Sequence, residues 1–181
     1  MALPLVWGAT DAEVRRRYPA DELLDGDVLR MTRAVGVDAA PEVTWRWLCQ
    51  VAVAPYSYDW IDNRGRRSPQ ALIDGLDALE VGQRACTIFE VVGFEPGRSL
   101  TLDSTTPWFG RTVITYQADP VTAGACRLVA KLVYRMPRNV YGWVARHVLP
   151  LGDFVMMRRQ LLNFRGLAER DARALSPPTR A

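Results

Sequence analysis

The sequence predicts an α+β domain in which a curved antiparallel sheet wraps a long C-terminal helix. Three observations predict it. From Gln83 to Met136 the chain adopts a period of two, with strand-length runs at 84–94, 99–104, 111–117 and 125–136. Glu95-Pro-Gly-Arg98, Pro107 and Asp119-Pro120 punctuate these runs, the mark of an antiparallel meander. Beyond Pro150, Phe154, Met157, Leu161, Phe164 and Ala168 recur at helical spacing from about Gly152 to Arg173. A one-sided helix and a one-sided sheet bury each other, and a sheet curved around a helix commonly leaves a cavity.

Each element has its own local signal. Thr10 followed by Glu13 forms a capping box for a first helix, which Pro19 should end. Val28 to Asp38 carries Val28, Leu29, Met31, Val35 and Val37 and reads as the first strand. Pro41 in a first helical turn, with Val43, Trp47 and Leu48 on one side, predicts a short helix. Ser68-Pro69 predicts a second, weakened by Gly75 and ended by Gly82. Between them lies an aromatic loop, Tyr56-Ser-Tyr-Asp-Trp60. The last strand is the clearest: Cys126, Leu128, Ala130, Leu132 and Tyr134 share one face, expected inward, and Arg127, Lys131 and Arg135 the other. Pro137 ends the sheet.

Length and composition narrow the function. At 181 residues the chain is one domain of ordinary size. Its expected parts are an N-terminal extension with a short helix at 1–27, the main domain at 28–173 and a flexible tail at 174–181. Hydrophobic residues at 49% and charged residues at 24% exclude a disordered or fibrous chain. Arg146, His147 and Asp153 interrupt the apolar stretch from Val140 to Met157, so no membrane-spanning segment is expected. With no basic residue ahead of its short apolar start, the N-terminus does not read as a signal peptide, and a cytoplasmic location is expected.

Twenty-two arginines and one lysine against 20 acids give a net charge of +3, spread in short runs such as Arg15 to Arg17 and Arg64, Arg66 and Arg67. These read as solvated faces, and no nucleic-acid partner is expected. Cys49, Cys86 and Cys126 lack a Cys-x-x-Cys pair and have one histidine for company, so no metal, disulfide scaffold or cofactor is expected; they read as core residues. Glycine-rich phosphate loops and a Gly-x-Ser-x-Gly elbow are missing.

Several segments together resemble a known family. They are Trp7-Gly-Ala-Thr-Asp-Ala-Glu13, Thr32-Arg-Ala-Val35, Asp38-Ala-Ala-Pro-Glu-Val43 with Trp45, Trp47 and Leu48, Tyr56-Ser-Tyr-Asp-Trp60, and Asp153-Phe-Val-Met156 with Arg158, Leu161 and Leu162. In order and spacing, over roughly residues 7 to 170, the chain resembles the SRPBCC superfamily, the START-like or Bet v 1-like group that includes polyketide cyclase/dehydrase and lipid-transport proteins. The resemblance implies a helix-grip fold: six or seven antiparallel strands gripping the C-terminal helix around a deep pocket for apolar ligands. The superfamily spans carriers and enzymes, so the fold alone does not choose between them.

Candidate ligand-binding residues are Tyr56, Tyr58 and Trp60 of the aromatic loop, Trp108 between two strands, Tyr116 and Tyr134 of the sheet, and Phe154, Met157, Arg158 and Leu161 of the last helix. On a helical wheel Arg158 and Arg165 fall inside the arc spanned by Leu151, Phe154, Leu161 and Leu162, which is expected to face the sheet. There Arg158 either anchors the polar end of a ligand, or snorkels to the rim, or pairs with Glu90 or Asp103. The aromatic loop is either a pocket wall or a plug closing the core. For acid–base work the available groups are Asp59, Asp62, Glu90, Asp103, His147 and the tyrosines, with no recognisable pair among them. The leading expectation is binding of a hydrophobic or amphipathic small molecule between sheet and helix. The alternatives are a cyclase or dehydratase acting in the same pocket, and a protein-interaction module displaying the aromatic loop.

Overall fold

A computed structural model describes residues 3–86, 88–106 and 110–175. In chain order the elements are β1 (Val6–Trp7), α1 (Asp11–Arg15), α2 (Pro19–Leu23), β2 (Leu29–Val37), α3 (Pro41–Cys49), α4 (Asp59–Asp62), β3 (Arg84–Ala85), β4 (Phe89–Glu95), β5 (Ser99–Thr106), β6 (Gly110–Thr122), β7 (Ala125–Arg135) and α5 (Val140–Leu175). The strands form one seven-stranded sheet in the order β1-β2-β7-β6-β5-β4-β3, antiparallel except for the β1–β2 edge pair. This is the expected helix-grip arrangement, with two short helices, α3 and α4, after the long strand β2.

The inner face of the sheet packs on α3 and α5. Met31, Val35 and Val37 of β2 lie beside Leu128, Ala130 and Leu132 of β7, with Trp47, Leu48, Met157, Leu161 and Phe164 against them. The outer face is covered too. Ala20 and Leu24 of α2 close over Val113 and Val133, and Tyr18 packs on Ala34 and Val129. Lys131, on the outward register of β7, is therefore buried, near Asp21 and donating to the Val14 carbonyl.

Local chemistry explains the departures from expectation. The capping box at Thr10 and Glu13 forms, but α1 ends at Arg15 and Pro19 opens α2, because proline at a first helical position sacrifices an amide hydrogen that has no partner anyway. No helix forms after Ser68. Ser68 instead binds the Asp59 carboxylate through both its amide and its hydroxyl, which ties the chain back to α4 within the aromatic loop. The strand expected at 84–94 divides into β3 and β4 at Cys86, whose backbone has a φ of 51°.

The last helix starts at Val140 and continues through Pro150. Asn139 supplies the start, its side chain accepting from the Gly142 amide at 2.8 Å and its carbonyl accepting from the Trp143 amide at 3.0 Å. Of the tail expected from 174, Ala174 and Leu175 belong to α5, and 176–181 lie outside the described residues.

Two glycines of α5 have opposite surroundings. A methyl group on Gly142 would fall on the Pro137 carbonyl oxygen, whereas one on Gly152 would meet open space. Gly142→Ala should therefore cost about 2 kcal/mol by forcing the helix start off the sheet end. Gly152→Ala should add about 0.8 kcal/mol through helix propensity. Urea unfolding of the two variants checks the opposite signs.

Candidate functional site

Between the sheet and α5 lies a cavity of about 290 Å³. Leu102, Ile114, Tyr116 and Tyr134 form its sheet wall, and Asp153, Met156, Met157 and Gln160 its helix wall. Val51, Pro55 and Ser57 close a third side, and Asp62, Cys86, Phe89 and the half-exposed Ile88 complete the lining. A larger hollow of about 410 Å³ lies on the sheet rim among Arg84, Glu90 and Asp103. It is open and lined by charged groups, unsuited to burying an apolar molecule.

Two polar chains enter the cavity wall. In the first, Arg33 donates from Nη2 to Asp153 Oδ2 at 3.0 Å, and the Tyr134 hydroxyl donates to Asp153 Oδ1 at 3.1 Å. The Arg33 side chain is fully enclosed and that of Asp153 is 7% exposed, so this ion pair sits in the core and not at the surface. Arg33 also donates to the carbonyls of Leu5 and Thr32, which spreads its charge over further acceptors. Burial raises the Asp153 carboxyl to about 6 against the opposing pull of Arg33. Burial, then the nearby Asp153 charge, holds the Tyr134 phenol well above its usual range, so it remains a neutral donor.

In the second chain the Tyr116 hydroxyl donates to Gln160 Oε1 at 2.8 Å, and Gln160 Nε2 donates to the Pro55 carbonyl at 2.6 Å. Asn163 holds the Tyr56 carbonyl at 2.8 Å, and the Ser57 hydroxyl donates to the Met156 carbonyl at 3.1 Å. The helix thus staples residues 55–57 in place as a wall. Burial raises the Asp62 carboxyl, and its Oδ1 is enclosed without a partner. Burial, then the Asp62 charge, pushes the Cys86 thiol up to about 12, so it is no nucleophile.

The structure sorts the ten candidates. Tyr116, Tyr134 and Met157 line the cavity. Tyr56 and Leu161 are buried in the core beside it, Tyr56 packed edge-on to Trp47 and tilted against Phe164. Phe154 packs edge-on to Trp7, and Tyr58 lies under the Arg159 guanidinium. Trp60 is 75% exposed and faces solvent. Arg158 is exposed as well, its guanidinium 5.5 Å from the Trp7 ring, and it reaches neither the cavity nor Glu90 or Asp103. The wheel misplaced it because Leu151, assumed to face the sheet, is 58% exposed, and the buried arc runs instead through Met157, Gln160, Phe164 and Leu167. Trp108 lies outside the described residues.

The sequence reading did not single out Asp153 and Gln160 of the cavity wall or Arg33 behind it, although signals for them exist. Arg33 shares the inward register of β2 with Met31 and Val35, and Asp153, Met157, Gln160 and Phe164 recur at spacings of four, three and four. Among the described residues no group of His, Cys, Asp or Glu side chains is placed to hold a metal ion, and no helix is long and apolar enough to cross a membrane.

No family model and no curated protein matches the chain. Solved structures do match. The ZhuI aromatase/cyclase from Streptomyces sp. R1128 superposes with a TM-score of 0.54 at 19% identity, over 81% of this chain and 97% of that one. The di-domain ARO/CYC StfQ from the steffimycin biosynthetic pathway gives 0.52 at 13% identity over 80% of this chain, which spans 52% of StfQ. A protein from Nitrosospira multiformis gives 0.52 at 11% identity, over 80% of this chain and 99% of that one. At these identities the likeness is one of fold, the same helix-grip arrangement, and agrees with the resemblance in sequence.

The buried pair makes a prediction with a sign. Asp153→Ala strands the Arg33 charge in the core and should cost about 3–5 kcal/mol, and the double variant Arg33→Met/Asp153→Leu should recover most of it. The folded carboxyl holds its proton to about 6, above the ~3.9 of an unfolded aspartate. Between these values the folded state binds more protons, so the Asp153 contribution is fully present below ~3.9 and is lost as pH rises through about 6. Urea unfolding across that window should show a steeper decline in the parent than in Asp153→Asn, which keeps only the smaller contribution of the raised Asp62 carboxyl.

Proposed function

We propose that the protein binds a small, largely apolar molecule in the cavity between the sheet and α5. The observation that carries this reading is the cavity itself: apolar walls from Leu102, Ile114, Phe89 and Met157, with a few converging polar groups, in an otherwise close-packed core. At about 290 Å³ it is roughly twice the ~150 Å³ that accommodates benzene. One or two rings or a short branched chain fill that space. Among the described residues no arginine or lysine lines it, whereas Asp62, Asp153, Tyr116 and Tyr134 do. The ligand's polar end is therefore a hydroxyl, phenol, enol or other hydrogen donor in preference to a carboxylate or phosphate, reversing the anchoring role expected of Arg158.

One observation favours a catalytic version of this reading. Asp153, raised to about 6 and hydrogen-bonded to Tyr134 in the cavity wall, forms a donor chain able to move a proton toward a bound carbonyl and back near neutral pH. The fold shared with an aromatase/cyclase supports the same chemistry as the runner-up.

Organic extraction of protein purified without detergent, followed by mass spectrometry, should release a stoichiometric small molecule from the parent and none from Met157→Trp, whose indole fills the space. An empty parent whose thermal unfolding is unmoved by a panel of phenols and short polyketides would overturn the binding reading. In the catalytic version, turnover falls with Tyr134→Phe while ligand affinity holds.

A further inference from the structure

The first half of α5 carries an apolar stripe on the wrong side. Val140, Val144, Val148, Leu151 and Val155 recur at spacings of four, four, three and four, which places them on one line of the helix. All are exposed, Val140 by 80%, Val148 by 61% and Leu151 by 58%. The opposite side of the same turns is the buried one, through Gly142, Pro150 and Met157. The helix is therefore apolar on both faces, and the sheet occupies only one.

The surroundings of the stripe say what covers it. Trp143, 67% exposed, and the half-exposed Tyr141 flank it; indole and phenol rings with one wet end suit the headgroup level of a bilayer. Arg138 stands before the stripe and Arg158 and Arg159 after it, and none of the three has an acidic partner within ion-pair distance among the described residues. Other charges of the helix are paired. Arg146 pairs with Asp27 at 2.7 Å, Arg165 with Glu169 at 2.8 Å, and Asp153 is buried against Arg33. α4 adjoins this face through Tyr58 under Arg159 and presents Trp60 to solvent.

We infer that this face of α5 lies flat on an anionic lipid surface, with the valine and leucine stripe sunk between headgroups and Arg138, Arg158 and Arg159 on the lipid phosphates. The stripe from Val140 to Val155 measures about 22 Å, too short to cross a bilayer and long enough to lie in its interface. A second copy of the chain fits less well. A two-fold axis sets the stripe against itself, and in either direction the arginines at its ends face arginines, with no exposed acid on the stripe to answer them. Met156 on the cavity wall neighbours Val155 on the stripe, so the docked face sits beside the cavity.

Co-sedimentation with vesicles tests this without any cavity ligand, so its outcome is independent of the binding reading above. The parent should pellet with phosphatidylcholine vesicles containing phosphatidylglycerol and weakly or not at all with phosphatidylcholine alone, and added salt should release it. Removing each of Arg158 and Arg159 by glutamine should weaken binding by about fivefold. Val148→Asp/Leu151→Asp, at exposed positions that leave the core intact, should abolish binding while unfolding at the parent's urea midpoint. No binding to anionic vesicles, or binding that the double aspartate variant retains, would overturn the inference. So would a concentration-dependent dimer that the same variant dissolves, since a second copy would then own the face.

Discussion

The buried ion pair between Arg33 and Asp153 is the constraint around which the molecule is arranged. An enclosed guanidinium in an apolar core is tolerable only beside a carboxylate and further acceptors, and here Asp153, Leu5 and Thr32 take its two terminal nitrogens while Nε stays without a partner. The pair ties the inner face of β2 to α5 over a separation of 120 residues. It also sets the rotation of the helix: with Asp153 turned inward, Met157, Gln160, Phe164 and Leu167 follow into the core, and Leu151, Val155 and Arg158 turn out.

From that rotation the cavity follows. Gln160, seven residues after Asp153, meets Tyr116 and the Pro55 carbonyl, and with Asn163 it pins the loop before α4 as the third wall. Within the aromatic loop Tyr56 is buried and Trp60 faces solvent. Tyr56 fills the space between Trp47 and Phe164, so it is the plug, and the smaller side chains around it form the cavity boundary. The polar side chains that remain in the wall are acids, neutral hydroxyls, the Gln160 amide and the Cys86 thiol, and the Arg33 charge behind it is already paired with Asp153.

Much of this was legible in the chain. Period-two runs located the meander within a few residues, the Thr10–Glu13 capping box and Pro41 located helix starts, and the inward face of β7 was read correctly from Cys126 to Tyr134. Other features were not. Pro150 reads as a helix boundary, whereas Asn139 caps the helix eleven residues earlier and packing carries it through the proline. Arg158 was assigned to the core face and Asp153 to none, because Leu151 and Val155 are as apolar as the residues that face the sheet. When a helix is apolar on two sides, hydrophobic periodicity does not say which side the sheet takes.

The sequence by itself determined the antiparallel meander, several helix starts and the existence of a two-layer α+β core, because alternation and capping are local properties that neighbouring residues impose on the backbone. Only the tertiary structure decided which side of α5 is gripped, which tyrosines reach the cavity, and that a carboxylate and a guanidinium meet inside it. Those outcomes depend on pairing energies between residues more than 40 positions apart, Tyr116 with Gln160 and Arg33 with Asp153. No local pattern encodes them, since a buried charge is acceptable only where the fold brings its partner.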